Sequence, residues 1–586
     1  MRQFLKFTLA TMTGFLLTIV VLIILGTAII GVLVSSGDKE VTVAENSVLH
    51  LDFSSPIQDR GSENPFEGLD PFTMESTNAN SFSDYVRSIE AAAKDEKIKG
   101  IFLDLKGVNA DLAIRQEIFE ALKKFKESDK FIYAFSETYT QGDYHLAALA
   151  DSIFLYPTGD FMFTGYASEP LFFKGMLDKL GVEVKLIRVG KYKGAGEPFI
   201  RENLSDENRY QIQSYLNSLY QSYLSDIADA RKIPADTLWA IANELRIETP
   251  EQAISSGLID GLAYRDEVLT LLKTKTNAKS IDKIKFVSVN DYASSLTKEK
   301  ATEKNRIAVV YAIGDIMSGE GDDQTIGSDR ISSALRDARL DKNVKAVVLR
   351  VNSPGGSALA SDVIWREMVL LKKAKKPVVV SMGALAASGG YYISIAADSI
   401  FAEPTTITGS IGVFGLLPNI SPFMKDKLGL TFDRVTTGKY ADIGTATRSM
   451  RADEEAIIQR MVNRIYEDFT NKVAGARNLP IDSVQNMAQG RVYTGAQAKS
   501  LGLVDQLGNL NDAIATAARM AKLKNYRLKE LPSQKNPIDE LIKGFTSAQA
   551  KSIEKELGLP FYEWKAVKTI LENDRIQARM EFIPSL

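Results

Sequence analysis

The sequence predicts an α/β protein built from two tandem copies of one domain behind a single N-terminal transmembrane helix. Three observations support this: an uncharged apolar run near the N-terminus, an internal duplication, and short β-rich runs alternating with amphipathic helices.

Phe7 to Gly37 carry no charge, and Phe15 to Val34 are almost wholly Leu, Ile, Val, Ala and Gly. About 20 apolar residues suffice to cross a bilayer core as a helix. Arg2 and Lys6 precede the run, while Asp38, Lys39 and Glu40 follow it. This cation bias places residues 1–6 in the cytoplasm and the rest of the chain outside. A cleaved secretory signal has a shorter apolar region ending at small residues, so residues 7–37 read as an uncleaved anchor.

The duplication shows in several places. Lys97 to Leu105 reads KIKGIFLDL and Asn343 to Val351 reads NVKAVVLRV. Each is followed by a helical stretch and then by a second β-rich run ending in Ala-Asp-Ser-Ile-Phe, at Ala150 to Phe154 and at Ala397 to Phe401. Gly190-Lys191-Tyr192 matches Gly438-Lys439-Tyr440, and the stretch from Ala253 resembles that from Ala498. A repeat of roughly 220 to 250 residues is a duplicated domain rather than a solenoid.

Within each copy, apolar runs such as IFLDL and AVVLRV alternate with stretches such as 111–126 and 360–375, whose apolar residues recur at three and four positions. That alternation predicts βα units and mostly parallel strands. The expected division is residues 45–296, a charged linker at 297–305, residues 306–530, and a charged tail of helical pattern at 531–586.

Composition narrows the chemistry. Apolar residues are 45% and charged residues 25% of the 586, a globular balance. The net charge of −3, with both signs scattered, does not supply the clustered basic face of a nucleic-acid binder. The chain has no Cys, which removes thiol nucleophiles, disulfides and thiolate metal sites. With only His50 and His145, no HExxH zinc helix can form.

Two turns in the second copy carry chemistry. Asn352-Ser-Pro-Gly-Gly-Ser357 directly follows the run AVVLRV, and its glycines let a ligand approach the backbone closely. Ser388, in Ala387-Ser-Gly-Gly-Tyr391, falls between a β-rich run and an apolar helix. Free N–H groups at a helix start can stabilise a developing oxyanion.

These motifs, with Ile407 to Val413 (ITGSIGV) and Arg188 to Phe199 (RVGKYKGAGEPF), resemble the ClpP–crotonase superfamily in its signal peptide peptidase A (protease IV) branch, long duplicated form. The resemblance runs from the anchor to about residue 525, with four motifs in the expected order. It implies two ClpP/crotonase-like domains and a Ser-Lys dyad, with Ser388 as nucleophile and Lys193 as general base. It further implies an oxyanion hole from Gly389 with Gly355 or Gly356, and Ser410 orienting the lysine.

The duplication is consistent with that assignment. Ser388 aligns with Gln141 and Lys193 with Ala441, so neither copy holds both members of a dyad. In the family the dyad is assembled between neighbouring protomers of a ring-like homotetramer, whereas the spacing here leaves one chain or two open. A lysine base should titrate near ~7–8 rather than ~10.4, a shift worth about 4 kcal/mol. Burial or a nearby positive charge supplies such a shift. Strand alternation would put Lys191 and Lys193 on one face, and Lys191 has a counterpart in Lys439. His145 reads as a packed helix residue, His50 as an ordinary strand residue, and Tyr391 and Tyr392 as core or pocket wall.

The implied activity is a serine endopeptidase that needs no metal or organic cofactor and degrades cleaved signal peptides and similar apolar peptides. It would be anchored by a single pass in the bacterial inner membrane, with its body on the periplasmic side. A non-catalytic scaffold of the same fold and an acyl-CoA enzyme are the rival readings. Intact Ser388 and Lys193 in complementary copies argue against the first. The second has no need of a nucleophilic serine.

Overall fold

The computed structural model describes residues 42–61, 80–296, 303–534 and 576–580, with scattered positions between 3 and 21. Most of the expected anchor and residues 297–302 of the expected linker lie outside the described residues. Among the described residues, no helix is long and apolar enough to cross a membrane.

The apolar runs become the central strands of two sheets. In the first copy the order is Gly261–Leu262, Ser152–Phe161, Phe131–Tyr139, Ile98–Leu105, Ser47–Asp52 and Phe286–Ser288, paired in parallel throughout. In the second it is Val492–Thr494, Ile407–Gly409, Val378–Ala387, Val344–Ser353, Arg306–Ile313 and Arg527–Leu531. Ser399–Ala402 also pairs with Val378–Ala387, so two short strands do what the single strand Ser152–Phe161 does in the first copy. Helices cover the faces, which is why these strands are nearly continuous in Val, Ile and Leu rather than alternating. Leu112–Phe125 and Ala358–Lys373 are helices, matching the periodicity, and Asp111 caps the first by accepting from the Ile114 amide at 2.8 Å.

The polar wiring is duplicated along with the strands. Lys130 Nζ donates to the Ala92 and Asp95 carbonyls at 2.7 and 2.6 Å, and Lys376 Nζ to those of Ala338 and Asp341 at 2.8 and 2.7 Å. Tyr144 and Tyr391 donate to the Leu258 and Leu503 carbonyls at 2.7 and 2.9 Å. Each bond satisfies a group that helix ends and turns leave unpaired.

The copies share one core. The apolar cluster around Leu49, Leu103 and Ile153 takes in Ile307, Val348, Phe401, Leu510 and Ala517 of the second copy. A buried ionic group also crosses the boundary: Arg350 Nε lies 2.6 Å from Asp59 Oδ1 and Nη2 lies 2.7 Å from Glu117 Oε1. Arg350 Nη1 donates to Ser381 Oγ at 2.8 Å.

Asp111 sits beside this group, with Asn352 Nδ2 donating to it at 3.4 Å. Burial first, then the Asp59 charge, pushes the Asp111 carboxyl up to about 6. A carboxyl raised above its unfolded value of ~3.9 costs stability when ionised, so this cost builds up as pH rises from about 4 to 6, is complete above 6 and is absent below about 4. Asp111→Asn keeps the helix cap and is expected to stabilise the protein by roughly 1–3 kcal/mol at pH 8. Thermal denaturation at pH 8 and pH 4.5 checks this, and an equal effect at both would contradict it.

A third sheet joins the copies at the site. Its order is Thr325–Gly327, Asp315–Met317, Gly355–Ser357, Ile576–Arg579, Val413–Asn419 and Glu183–Val189. Every residue of Glu183–Val189 pairs antiparallel with Val413–Asn419. The tail departs from expectation: residues 576–579 form a strand, not a helix, because an open strand edge on each side supplies backbone partners. Residues 535–575 of that tail lie outside the described residues.

Candidate active site

Ser388 ends the strand Val378–Ala387 and precedes the helix Gly389–Ser394, with φ 54° and ψ −112°. A non-glycine residue in that region costs about 1–3 kcal/mol. A sharp strand-to-helix turn of this kind pushes a side-chain hydroxyl clear of the sheet. The Ser388 amide holds the turn by donating to the Gly409 carbonyl at 2.8 Å. One residue further along the neighbouring strand, Ser410 also has positive φ (50°), and its amide donates to Arg491 O at 2.7 Å.

Lys193 comes from the first copy. The chain leaves Glu183–Val189 at Gly190, where φ is 101° and a Cβ would stand 2.3 Å from the Gln489 carbonyl carbon. Only glycine makes that turn at so close an approach. The turn breaks the alternation expected from sequence: Lys191 is exposed and Lys193 is 1% exposed. Lys193 Nζ donates to Ser388 Oγ at 2.7 Å, and to the hydroxyl and carbonyl oxygens of Ser410 at 3.0 Å each.

Both residues belong to one chain. The family arrangement, with neighbouring protomers sharing the dyad, is not needed for this contact. Duplication places the two copies in one polypeptide, and the pairing of Glu183–Val189 with Val413–Asn419 delivers the lysine loop to the serine turn.

The glycine turns meet beside this pair. Gly355 has φ 102°, and a Cβ there would lie 2.6 Å from the Gly389 amide nitrogen. The Gly355 amide donates to Ser353 Oγ at 3.1 Å. Ile212, Tyr215, Ile407 and Val492 form an apolar wall next to Lys193 and Ser410.

Several supporting residues went unread in the sequence. Arg188 Nη1 donates to the Lys193 carbonyl at 2.8 Å and pairs with Glu197 Oε1 at 3.2 Å. Burial works against the Glu197 charge, but hydrogen bonds from Ser205 and the Arg188 guanidinium hold its carboxyl below the ordinary range. Gln211 bridges the copies, donating to Tyr192 O at 2.9 Å and accepting from the Val492 amide at 3.1 Å. Arg188 and Glu197 lie inside the RVGKYKGAGEPF motif and could have been found there. Gln211, on the long helix Asp206–Arg231, carries no local signal.

The remaining candidates lie elsewhere. Gln141, opposite Ser388 in the repeat, donates its amide to Gly165 O at 2.9 Å. His145 Nε2 is 2.9 Å from Asp226 Oδ2, and its ring stacks on Phe119 with centroids 4.5 Å apart. His50 sits on the strand Ser47–Asp52, 3.2 Å from Asp104 Oδ2. Tyr391 is core, while the Tyr392 hydroxyl bonds Asp362 and Asp468 at 2.9 Å each.

Peptidase family S49 matches this chain twice, at residues 124–279 and 370–524. Protease 4 of Salmonella typhi is 37% identical over 562 residues, covering 93% of this chain and 90% of its own. This chain belongs to peptidase family S49. The S49 match makes it a serine peptidase with two tandem α/β S49 domains. A putative signal peptide peptidase SppA of Enterococcus faecium is 31% identical to this S49 peptidase over 335 residues, covering 55% of this chain and 92% of its own. A solved ClpP1 mutant from Listeria monocytogenes aligns at TM-score 0.25 and 18% identity, over 35% of this chain and 94% of that chain. The S49 fold described above rests on its own strand order rather than on that likeness.

Proposed function

We propose that this S49 peptidase is a membrane-anchored endopeptidase working through a Ser388–Lys193 dyad on cleaved signal peptides and similar apolar peptides. The observation that supports it is the 2.7 Å contact between Lys193 Nζ and Ser388 Oγ, in a site closed to solvent. Ser388 Oγ attacks the peptide carbonyl carbon while Lys193 Nζ, neutral at that moment, takes the hydroxyl proton. Lys193 then gives that proton to the leaving amine and later activates water. Ser410 fixes the amine through its two oxygens. The Gly389 amide and the Gly355–Gly356 turn receive the oxyanion, a role worth about 3–4 kcal/mol per donor.

The apolar wall beside Lys193 suits the hydrophobic core of a signal peptide, the substrate class named for the Enterococcus relative. In this reading residues 7–37 anchor the chain in the bacterial inner membrane with its body on the periplasmic side, assembled as a homotetramer.

A serine-directed phosphonate is expected to abolish hydrolysis of an apolar peptide and to add its mass at Ser388. Labelling should fall by about 10²–10⁴-fold in Lys193→Ala, the usual contribution of a general base. Modification at another serine, or undiminished labelling without Lys193, would refute the dyad.

A further inference from the structure

The dyad and its apolar wall leave one charged side chain beside the site without a role. Arg491 stands between Gly490 and Val492, and both of these line the pocket that holds Lys193. A Cβ on Gly490 would lie 2.7 Å from the Lys193 amide nitrogen, and the Arg491 carbonyl accepts from the Ser410 amide at 2.7 Å.

Three tyrosine rings surround the side chain. The Arg491 guanidinium carbon lies 5.4 Å from the centre of the Tyr192 ring and 5.2 Å from those of Tyr210 and Tyr493. Tyr192, on the lysine loop, and Tyr210, on the helix Asp206–Arg231, belong to the first copy, so the cage closes across the boundary between copies. Ring faces attract a guanidinium and hold its plane, yet leave its N–H donors unused.

Those donors are unused here. Among the described residues the Arg491 guanidinium has no hydrogen-bonded or ion-paired partner; its Nε is buried and its two Nη groups reach solvent. The other arginines at the site are neutralised, Arg188 by Glu197 at 3.2 Å and Arg579 by Asp315 at 2.9 Å. Arg491 is half-buried, and Tyr210 beside it is 57% exposed, so the uncompensated charge is open to a ligand. Lys191 Nζ lies 5.2 Å from the centre of the same Tyr192 ring and adds a second positive charge. Such a field selects an anion, and the planar guanidinium edge matches a carboxylate through two parallel hydrogen bonds.

We propose that Arg491 is a specificity-determining residue that binds a carboxylate of the peptide substrate, namely its free C-terminus. Hydrolysis that releases a signal peptide leaves a carboxylate at the new end of that peptide. The proposal therefore rests on the cleaved-peptide reading above and narrows it to peptides with a free C-terminus. An Asp or Glu side chain offers the same chemistry, and the test separates the two sources.

The test uses the full chain in detergent with four apolar peptides of one sequence: a C-terminal acid, its amide, and two amides carrying one internal Glu or Gln. The acid is expected to exceed the amide in kcat/KM by about tenfold, mainly through KM, as for one hydrogen-bonded charge. Arg491→Gln should bring this ratio close to one. Arg491→Lys keeps the charge without the fork and should fall between. Lys191→Gln removes an exposed, screened charge and should change the ratio by less than about twofold. Equal rates for acid and amide, and for Glu and Gln, overturn the proposal. So does an Arg491→Gln loss equal for all four peptides, which is what a structural role would produce, or a Lys191→Gln effect as large as that of Arg491→Gln. A preference for Glu over Gln without one for acid over amide supports the carboxylate site and overturns its C-terminal source. Anisotropy with labelled acid and amide in a Ser388→Ala background reads the same preference as a Kd ratio. Hydrolysis that survives Ser388→Ala beside an intact Kd ratio would remove the dyad and leave the carboxylate site standing.

Discussion

Alanine at Lys193 or Ser388 is expected to lower peptide hydrolysis by about 10³–10⁶-fold, and mixing the two variants is expected to restore none of it. Lys193 and Ser388 meet within one chain at 2.7 Å. A chain lacking either residue therefore has no intact site to lend or to complete. The two losses should not add in the double variant, because nucleophile and base act as a unit. Lys193→Arg should be as inactive as Lys193→Ala, since a guanidinium stays protonated and cannot serve as a base. Peptide assays on each variant, and on mixtures incubated under subunit-exchange conditions, provide the test. Recovery in the mixture would mean that a neighbouring chain completes the site. Thermal melts of the single variants identify any loss that comes from unfolding.

The other large effect is expected at Arg350. Its side chain is fully buried between Asp59 and Glu117 of the first copy, with the Phe82 ring 4.8 Å from the guanidinium carbon. Arg350→Ala leaves those carboxylates buried without their cation, which costs about 3–5 kcal/mol. The loss should shrink as pH falls. Burial already raises the Glu117 carboxyl even against the Arg350 charge, and protonation removes the uncompensated charge. Replacing the group together, as Asp59→Asn, Glu117→Gln and Arg350→Met, should recover much of the stability, because no unpaired ion then remains. Denaturant unfolding at pH 5 and pH 8 measures both effects. An Arg350→Ala chain as stable as the parent at pH 8 would show that the ionic group does not hold the copies together. Activity should fall with stability, since Arg350 and Asn352 lie just before the Pro354-Gly355-Gly356 turn and Asp59 is bonded to both.

Much of the fold was legible because its signals are local. The runs KIKGIFLDL and NVKAVVLRV became central parallel strands, and the helix periodicity at 111–126 and 360–375 held to within two residues at each end. The glycine turn was legible for the same reason, since the positive φ and close approach at Gly355 require glycine, whereas Ser388 was picked out by the motif resemblance rather than by its backbone. The lysine face was misread because Gly190 ends the strand before Lys191, and an alternation argument holds only while the strand continues. Gln211, Asp59 and Glu117 gave no signal, because nothing near them in the chain announces a partner in the other copy. The tail pattern suggested a helix, but residues 576–579 pair with strand edges that lie more than 150 residues away in sequence.

The sequence by itself determined the residue types available for catalysis, the duplicated α/β plan, and the division of serine and lysine between two copies. Each of these depends on composition or on order along the chain. Only the tertiary structure decided that the two copies close one site within a single chain, that the turn at Gly190 buries Lys193 and leaves Lys191 exposed, and that residues 576–579 form a strand beside it. Ser388 and Lys193 are 195 positions apart, and the strand that unites them pairs through backbone groups common to every residue. Main-chain hydrogen bonds at a sheet edge carry affinity without a side-chain code, so such a pairing becomes visible only when the edges themselves are in place.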